Sequence, residues 1–268
     1  MSDRKNTKKR AVVSERSALY LKRIGISPDT PLYIDSDTLR MLQYAHITTV
    51  PYENIDIIHK KPLCLDIDYL YDKIVLRKRG GYCFESNALF NSLLYDLGFS
   101  TQSLFARFLR GSDEPIPMRR HRIMRVYLED GEYLADVGVG NAAPRYPLKI
   151  EEGLIDEQFG EKYRFVKDNI LGWILQEYKD NSFSNCFSFT DETTYEVDYG
   201  AASFWCENHI KSPFNKHIMA SLKTDSGRIT IDGNIFKIFS GDSVTVYEMK
   251  NEEIYPMLKK HFNITITD

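Results

Sequence analysis

The hydrophobic period of this chain changes at Gly98, and that change restricts the folds open to it. Ahead of Gly98, apolar residues recur at helical spacing. Leu19, Tyr20 and Ile24 mark a helix over Ser17 to Ile24 that stops at Gly25, and Asp35 or Ser36 caps a second in which Leu39, Leu42 and Ala45 share a face. Asp66 to Val75 presents Leu70, Ile74 and Val75 as its stripe. A fourth helix opens near Cys83 and runs to Gly98 with Phe90, Leu93, Leu94 and Leu97 turned to a core. Behind Gly98 the period becomes two. Thr101 to Leu109, Ile123 to Leu128, Tyr133 to Val137, Lys162 to Val166 and Ile170 to Tyr178 carry the β-branched and aromatic content of strands, with Asp130-Gly131 as a hairpin turn. The last stretch mixes strands near Ile229 to Ile231, Ile235 to Phe239 and Val244 to Met249 with a helix from Asn251 or Glu252 to Phe262. Helices and strands in blocks, rather than in alternation, predict an α+β fold. No internal repeat, low-complexity block or long linker divides the chain, so its parts are expected to pack as one unit.

Composition narrows the functional classes. A chain of 268 residues buries roughly three quarters of its unfolded surface and stands without covalent staples. Four cysteines are too few for a secreted disulfide scaffold, which favours a reducing, intracellular setting. With 35 Lys and Arg against 38 Asp and Glu, a net charge of −3 gives no long-range pull towards nucleic acid or an anionic membrane. No apolar run approaches the roughly 18 to 20 residues that cross a bilayer. The basic start, with Arg4, Lys5, Lys8, Lys9 and Arg10, leads into a stretch too short and too soon charged for a signal-peptide core. It reads as a solvated, frayed terminus. A cytoplasmic protein without nucleic-acid or membrane partners is the expectation.

Arg79-Gly80-Gly81-Tyr82-Cys83 places a cysteine behind two glycines at a helix start, where a thiol is reachable and favoured as thiolate. A free thiol is only about 3% ionised at neutral pH, and a helix N-terminus with an imidazolium can bring it close to full ionisation. On position alone, a buried structural cysteine is an equal alternative. His121 and Asp136 favour the nucleophile. His121 opens one strand and Asp136 lies near the end of the next, with both side chains on the same face of the hairpin. A two-residue loop at Asp130-Gly131 carries His121 opposite Gly140, leaving Asp136 about 13 Å short along the strand. A longer loop or a bulge is then needed to bring them together. In contact, Asp136 orients the imidazole while His121 takes the thiol proton.

Arg79-Gly80-Gly81-Tyr82-Cys83-Phe84-Glu85-Ser86-Asn87 resembles the signature of the arylamine N-acetyltransferases, with Arg, Gly, Gly, Cys, Glu and Asn in place. The Cys-to-His interval of 38, the His-to-Asp interval of 15 and Ala135-Asp136-Val137-Gly138-Val139-Gly140 fit the same family. So do Tyr20-Leu21-Lys22-Arg23-Ile24-Gly25, Pro51-Tyr52-Glu53-Asn54 and Ser212-Pro213-Phe214, so the resemblance spans most of the chain. It implies a three-part fold with a cysteine-protease-like Cys-His-Asp core: a helical bundle over 1–98 carrying Cys83, a β-barrel-like part over 99–210 carrying His121 and Asp136, and an α/β lid over 211–268. It also implies ping-pong chemistry. Cys83 takes the acetyl group from acetyl-CoA as co-substrate, with no permanently bound cofactor, and passes it to an arylamine or hydrazine. The Cys83 backbone N–H is a candidate oxyanion donor. Tyr52, Val139 and Phe214 stand at positions that line the acceptor pocket in the family. Phe is usual at the first and common at the second, so Val139 removes an aromatic wall and Tyr52 adds a hydroxyl. Ser203, Glu207, Asn208 and Ile210 replace the Asn, Ser, Thr and Pro of a stretch that helps hold CoA in relatives, and a carboxylate at Glu207 weakens or relocates the nucleotide.

The other polar residues read as structure. His46, His59, His209, His217 and His261 lack zinc-ligand spacing, and Cys64, Cys186 and Cys206 are too scattered, so no metal site is expected. Gly138-Val139-Gly140 is no dinucleotide fingerprint, since no third glycine follows. Trp205 and Tyr199 read as core or lid packing, and Glu85 and Asn87 as scaffolding for the site. Two rival functions share these residues: a cysteine hydrolase or other amide-forming acyltransferase, and a catalytically silent binding protein of the same fold.

Overall fold

The computed structural model describes residues 8–112, 114, 116–140 and 144–266. Of the basic start, Arg4 and Lys5 lie outside the described residues. Lys8 pairs with Asp35 at 2.6 Å and Arg10 bridges to Tyr33, so the end of that segment is anchored rather than frayed.

Local capping sets the helices. In α1 (Glu15–Arg23) the Ser14 hydroxyl accepts from the Ser17 N–H, and in α2 (Ser36–Thr49) the Asp35 carboxylate accepts from the Thr38 N–H. The expected face of α1 is corrected in one place: Leu19 is 49% exposed, and Leu21 takes its place in the core. A two-residue strand β1 (Tyr52–Glu53) and the short helix α3 (Ile55–Ile58) follow, then α4 (Ile67–Tyr71), which continues through a π-helical turn over Asp72–Leu76. Helix α5 (Cys83–Leu97) is more deeply placed than a one-sided stripe implies. Every residue from Cys83 to Phe90 is buried, polar Glu85, Ser86 and Asn87 included. These are the residues whose side chains build the site.

The middle of the chain is one antiparallel sheet. Strands β2 (Ser100–Phe108), β3 (His121–Leu128), β4 (Gly131–Ala135), β5 (Leu148–Lys149), β6 (Ile155–Gln158), β7 (Glu161–Asp168), β8 (Gly172–Lys179) and β9 (Ser182–Phe189) pair in the order β5-β4-β3-β2-β9-β8-β7-β6. The edge strands β5 and β6 are joined by residues 150–154 alone, so the two edges lie side by side and the sheet curls into a near-barrel. Central strand β9 has no counterpart in the sequence pattern. Its Ser, Asn and Cys content lacks the β-branched residues that mark a strand, and pairing with β2 and β8 supplies what the local pattern does not. Helix α6 (Tyr199–Asn208) follows, then a meander of β10 (Met219–Thr224), β11 (Gly227–Asp232), β12 (Ile235–Ser240) and β13 (Ser243–Glu248), and α7 (Ile254–Phe262). The second sheet is ordered β1-β10-β11-β12-β13, so the short strand at Tyr52-Glu53 ties the helical part to the last third of the chain. Among the described residues no helix is long and apolar enough to cross a membrane.

Beneath the start of α5 lies a buried cluster of five charged side chains. Lys73 donates to Asp56 at 2.6 Å and to Glu85 at 2.7 Å, while Arg79 reaches Glu53 at 2.7 Å and Asp56 at 3.0 Å. Burial works against the charge on Lys73, but Glu85, Glu53 and Asp56 outweigh it and hold its pKa above the ordinary range. Removing one partner of such a set leaves buried charge uncompensated. Lys73→Met is therefore expected to cost about 3–5 kcal/mol of folding free energy by urea unfolding, and a loss below about 1 kcal/mol would show that the cluster does not hold the fold.

Candidate active site

Backbone contact and capping together place Cys83. A Cβ on Gly80 would stand 2.0 Å from the carbonyl oxygen of Pro51, so only glycine lets the Arg79-Gly80-Gly81 segment run against the loop before β1. The Glu85 carboxylate accepts from the Tyr82 N–H at 3.1 Å while Lys73 holds its other oxygen, which fixes the first turn of α5. Cys83 is the first residue of that helix.

His121 begins β3, and Asp136 follows the last residue of β4. The hairpin between them does not have the expected register. Leu128 pairs with Gly131 and Met124 with Ala135, so the turn is Glu129-Asp130, and Gly131, at φ 140°, is already in the strand. Continued, this register puts Asp136 opposite Ile123, two residues or about 7 Å along the strand from His121. That is a diagonal neighbour within side-chain reach. His121 Nε2 donates to Asp136 Oδ2 at 2.7 Å, with neither a longer loop nor a bulge in the hairpin.

Asn87, one turn along α5 from Cys83, locks this pair to the helix. Its Nδ2 donates to Asp136 Oδ1 at 2.8 Å and to the Arg122 carbonyl at 2.6 Å, and its Oδ1 accepts from the Val137 N–H at 2.8 Å. The Gly138 N–H donates to Asp136 Oδ1 at 2.8 Å. A Cβ on Gly138 would stand 2.6 Å from the Cα of Cys83, so this glycine lets the strand end close on the helix. The Gln43 side chain of α2 accepts from the Asp136 N–H at 3.1 Å. Asn87 was legible as scaffolding. Gln43 was not, because no local pattern distinguishes it from an exposed helix glutamine.

The electrostatics depart from the expectation of a reachable, ionised thiol. Cys83 is 2% exposed, and burial pushes its thiol up; the hydrogen bond and charge of His121 pull it back without overcoming that rise. For His121, burial alone would lower the pKa, but the Asp136 carboxylate and the Cys83 contact outweigh it and push it up to about 10. Nδ1 of His121 has no other hydrogen-bond partner among the described residues, so it is the nitrogen left for the thiol. Phe108 and Phe187 flank the imidazole, with centroids at 4.7 and 5.6 Å, and form an apolar wall.

The three expected pocket residues come from different parts of the core. Tyr52 and Phe214 pack in the cluster that holds Cys83, Tyr82 and Phe84, whereas Val139 packs on the sheet cluster beside Phe108. Asn54 sets the position of Phe214: its Nδ2 donates to the Phe214 carbonyl at 2.8 Å and its Oδ1 accepts from the Met219 N–H at 2.7 Å. Ser203, Glu207 and Asn208 line a cleft of about 810 Å³ with Lys60, Lys61 and Phe204, while Ile210 is 80% exposed outside it. Glu207 does not project freely into that cleft, because it accepts from Ser203 at 3.0 Å and from the Leu63 N–H at 3.3 Å. Ser203 in turn lies 2.7 Å from the Tyr82 hydroxyl. Among the described residues, no group of three or more His, Cys, Asp or Glu is placed to hold a metal ion.

Comparison with known proteins agrees with this geometry. The N-acetyltransferase family profile matches residues 35–268. The arylamine N-acetyltransferase of Escherichia coli K12 is 29% identical over 252 residues, covering 93% of this chain and 89% of that protein. The Mycobacterium tuberculosis H37Rv enzyme of the same name is 31% identical over 238 residues, covering 87% and 84%. Among solved structures, the Salmonella typhimurium arylamine N-acetyltransferase superposes with a TM-score of 0.91 at 26% identity, covering 96% of this chain and 94% of that one. The Mycobacterium marinum arylamine N-acetyltransferase in complex with CoA does so with a TM-score of 0.84 at 30% identity, covering 91% of each chain. A mixed helix and sheet fold shared over nearly its whole length, and a profile match from residue 35 to the end, show that this chain belongs to the arylamine N-acetyltransferase family.

Proposed function

We propose that this protein transfers an acetyl group from acetyl-CoA to the nitrogen of an arylamine or hydrazine through an acetyl-Cys83 intermediate. One observation carries the proposal: a cysteine at a helix start shares a buried site with an imidazole whose other nitrogen is held by a carboxylate at 2.7 Å. The names of the relatives, and the CoA complex of the Mycobacterium marinum protein, supply the donor and acceptor classes.

In the first half-reaction the Cys83 thiol gives its proton to His121, and the resulting thiolate attacks the thioester carbonyl. The bond from carbonyl carbon to CoA sulfur breaks, and CoA leaves as thiol after taking that proton back. In the second, the amine nitrogen attacks the acetyl-Cys83 carbonyl, a C–N bond replaces the C–S bond, and the amine proton returns through His121 to Cys83. Asp136 holds His121 in the protonated form, so the reactive state is a thiolate beside an imidazolium. Burial raises the cost of the free thiolate and also keeps water from the thioester, which favours transfer to an amine over hydrolysis. The four free thiols suit a reducing compartment, and the cytoplasm is the setting we assign.

Mixing the protein with acetyl-CoA in the absence of an acceptor should add a single acetyl group to Cys83 by intact mass, and an aromatic amine should discharge it. Immediate discharge by water would instead identify a hydrolase, and no adduct on folded protein would exclude acetyl transfer. Cys83→Ser should abolish the adduct. Asp136→Asn should lower kcat by about 10³–10⁴ while the protein remains folded by circular dichroism, and full activity would dismiss the triad. The same variant tests the electrostatics. Without the carboxylate, His121 falls from about 10 towards its ordinary value and is neutral above it, so the thiolate loses its counter-charge and the thiol pKa rises. The pH dependence of Cys83 alkylation by iodoacetamide should therefore move to higher pH in Asp136→Asn, and an unchanged profile would contradict the assigned imidazolium.

A further inference from the structure

Arg120 stands against the nucleophile and is not accounted for by the chemistry above. Its carbonyl oxygen is 3.9 Å from Cys83 Sγ, and its guanidinium carbon lies 5.7 Å from the ring centroids of both Phe108 and Phe214. Both rings belong to the site. Phe108 packs on the His121 imidazole, and Phe214 meets the Tyr82 ring edge-on at 6.0 Å. The positive charge of Arg120 is felt at Tyr52 and at Cys206, which places it on the side of the site that Tyr52 and Phe214 line.

Among the described residues, the Arg120 side chain has no carboxylate partner and donates no hydrogen bond, whereas the nearby arginines are matched. Arg119 pairs with Glu192 at 2.6 Å and donates to Thr190 at 3.0 Å, and Arg122 donates to Glu196 at 2.6 Å. Aromatic faces hold a guanidinium by their quadrupole but leave the N–H donors along its edge unused. What remains is a half-buried planar fork with the geometry of a carboxylate receptor, lying between two aromatic rings on the residue whose backbone carbonyl faces Cys83 Sγ.

We propose that Arg120 determines acceptor specificity by receiving an anionic group of the acceptor, so that the preferred acceptors are arylamines with a carboxylate on the ring. The aromatic ring lies among Tyr52, Phe108 and Phe214, the acid meets the guanidinium, and the amine faces acetyl-Cys83. A site that leaves a charged donor unpaired when the acid is missing discriminates more strongly than apolar contact alone. This assignment rests on acetyl transfer through Cys83. CoA also carries oxyanions, in its phosphates, so the test uses a donor that has none.

With p-nitrophenyl acetate as acetyl donor, p-aminobenzoate and its neutral analogue p-aminobenzamide are compared as acceptors on the full-length protein. The wild type is expected to favour the acid, and Arg120→Met to lower the acid-to-amide ratio of kcat/KM by about tenfold or more, chiefly through KM for the acid. Arg120→Lys, which keeps the charge without the fork, should retain part of the preference. An equal ratio in wild type and Arg120→Met overturns the proposal. So does a raised KM for acetyl-CoA in Arg120→Met with the acid-to-amide ratio unchanged, which would give the cation to the CoA phosphates. Intact mass separates the two levels. Absence of an acetyl adduct on the wild type strikes out acetyl transfer itself, whereas an adduct discharged without preference for the acid strikes out Arg120 alone.

Discussion

The buried carboxylate of Asp136 is the point on which the site depends. Its Oδ2 accepts from His121, and its Oδ1 accepts from Asn87 and from the Gly138 N–H. A carboxylate taken out of water is tolerated only when its lone pairs are met, and here the donors come from a strand, a helix and the loop beyond the next strand. Meeting them fixes the distance between α5 and the sheet. Cys83 is carried on α5 and His121 on the sheet, so the same bonds that satisfy Asp136 also set the thiol against the imidazole.

A second buried electrostatic unit holds the other end of that helix start. Glu53, Asp56, Lys73, Arg79 and Glu85 come from β1, α3, the π turn, the loop before α5 and α5 itself. Four positions of Arg79-Gly80-Gly81-Tyr82-Cys83-Phe84-Glu85-Ser86-Asn87 acquire a physical task. Arg79 and Glu85 are charged because each faces a buried counter-charge. Gly80 admits the Pro51 carbonyl, and Asn87 spans from α5 to the residues around Asp136. The motif that reads as catalytic in sequence is, for most of its length, an assembly device for one sulfur atom.

That assembly places the thiol in a dry environment, which has opposing effects. Burial raises the Cys83 pKa and opposes the thiolate, while a protonated His121 beside it favours the thiolate. The same exclusion of water strengthens every charge interaction inside. A surface cysteine at an exposed helix start would ionise more readily and hold a thioester less well.

Much of this was legible in residue order. Caps at Asp35 and the helix start at Cys83 are local chemistry, and the change of period at Gly98 separates helices from strands, whereas the grouping of Cys83, His121 and Asp136 came from the family resemblance, because the local register left His121 and Asp136 apart. Register was not legible, because Glu129-Asp130 and Asp130-Gly131 are both acceptable turns and only the packing of the whole sheet selects one. Nor was β9, whose polar residues become a central strand because β2 and β8 need a partner between them. Gln43 and Arg120 carry no local signal either; each is set in place by residues far away in the chain. The sequence by itself therefore determined most of the helices and strands and which side chains are candidates for the chemistry, since those follow from side-chain types and short-range periodicity. Only the tertiary structure decided how the groups meet, how dry the thiol is and which cation lies between Phe108 and Phe214, because those are properties of distances between residues that the chain order leaves free.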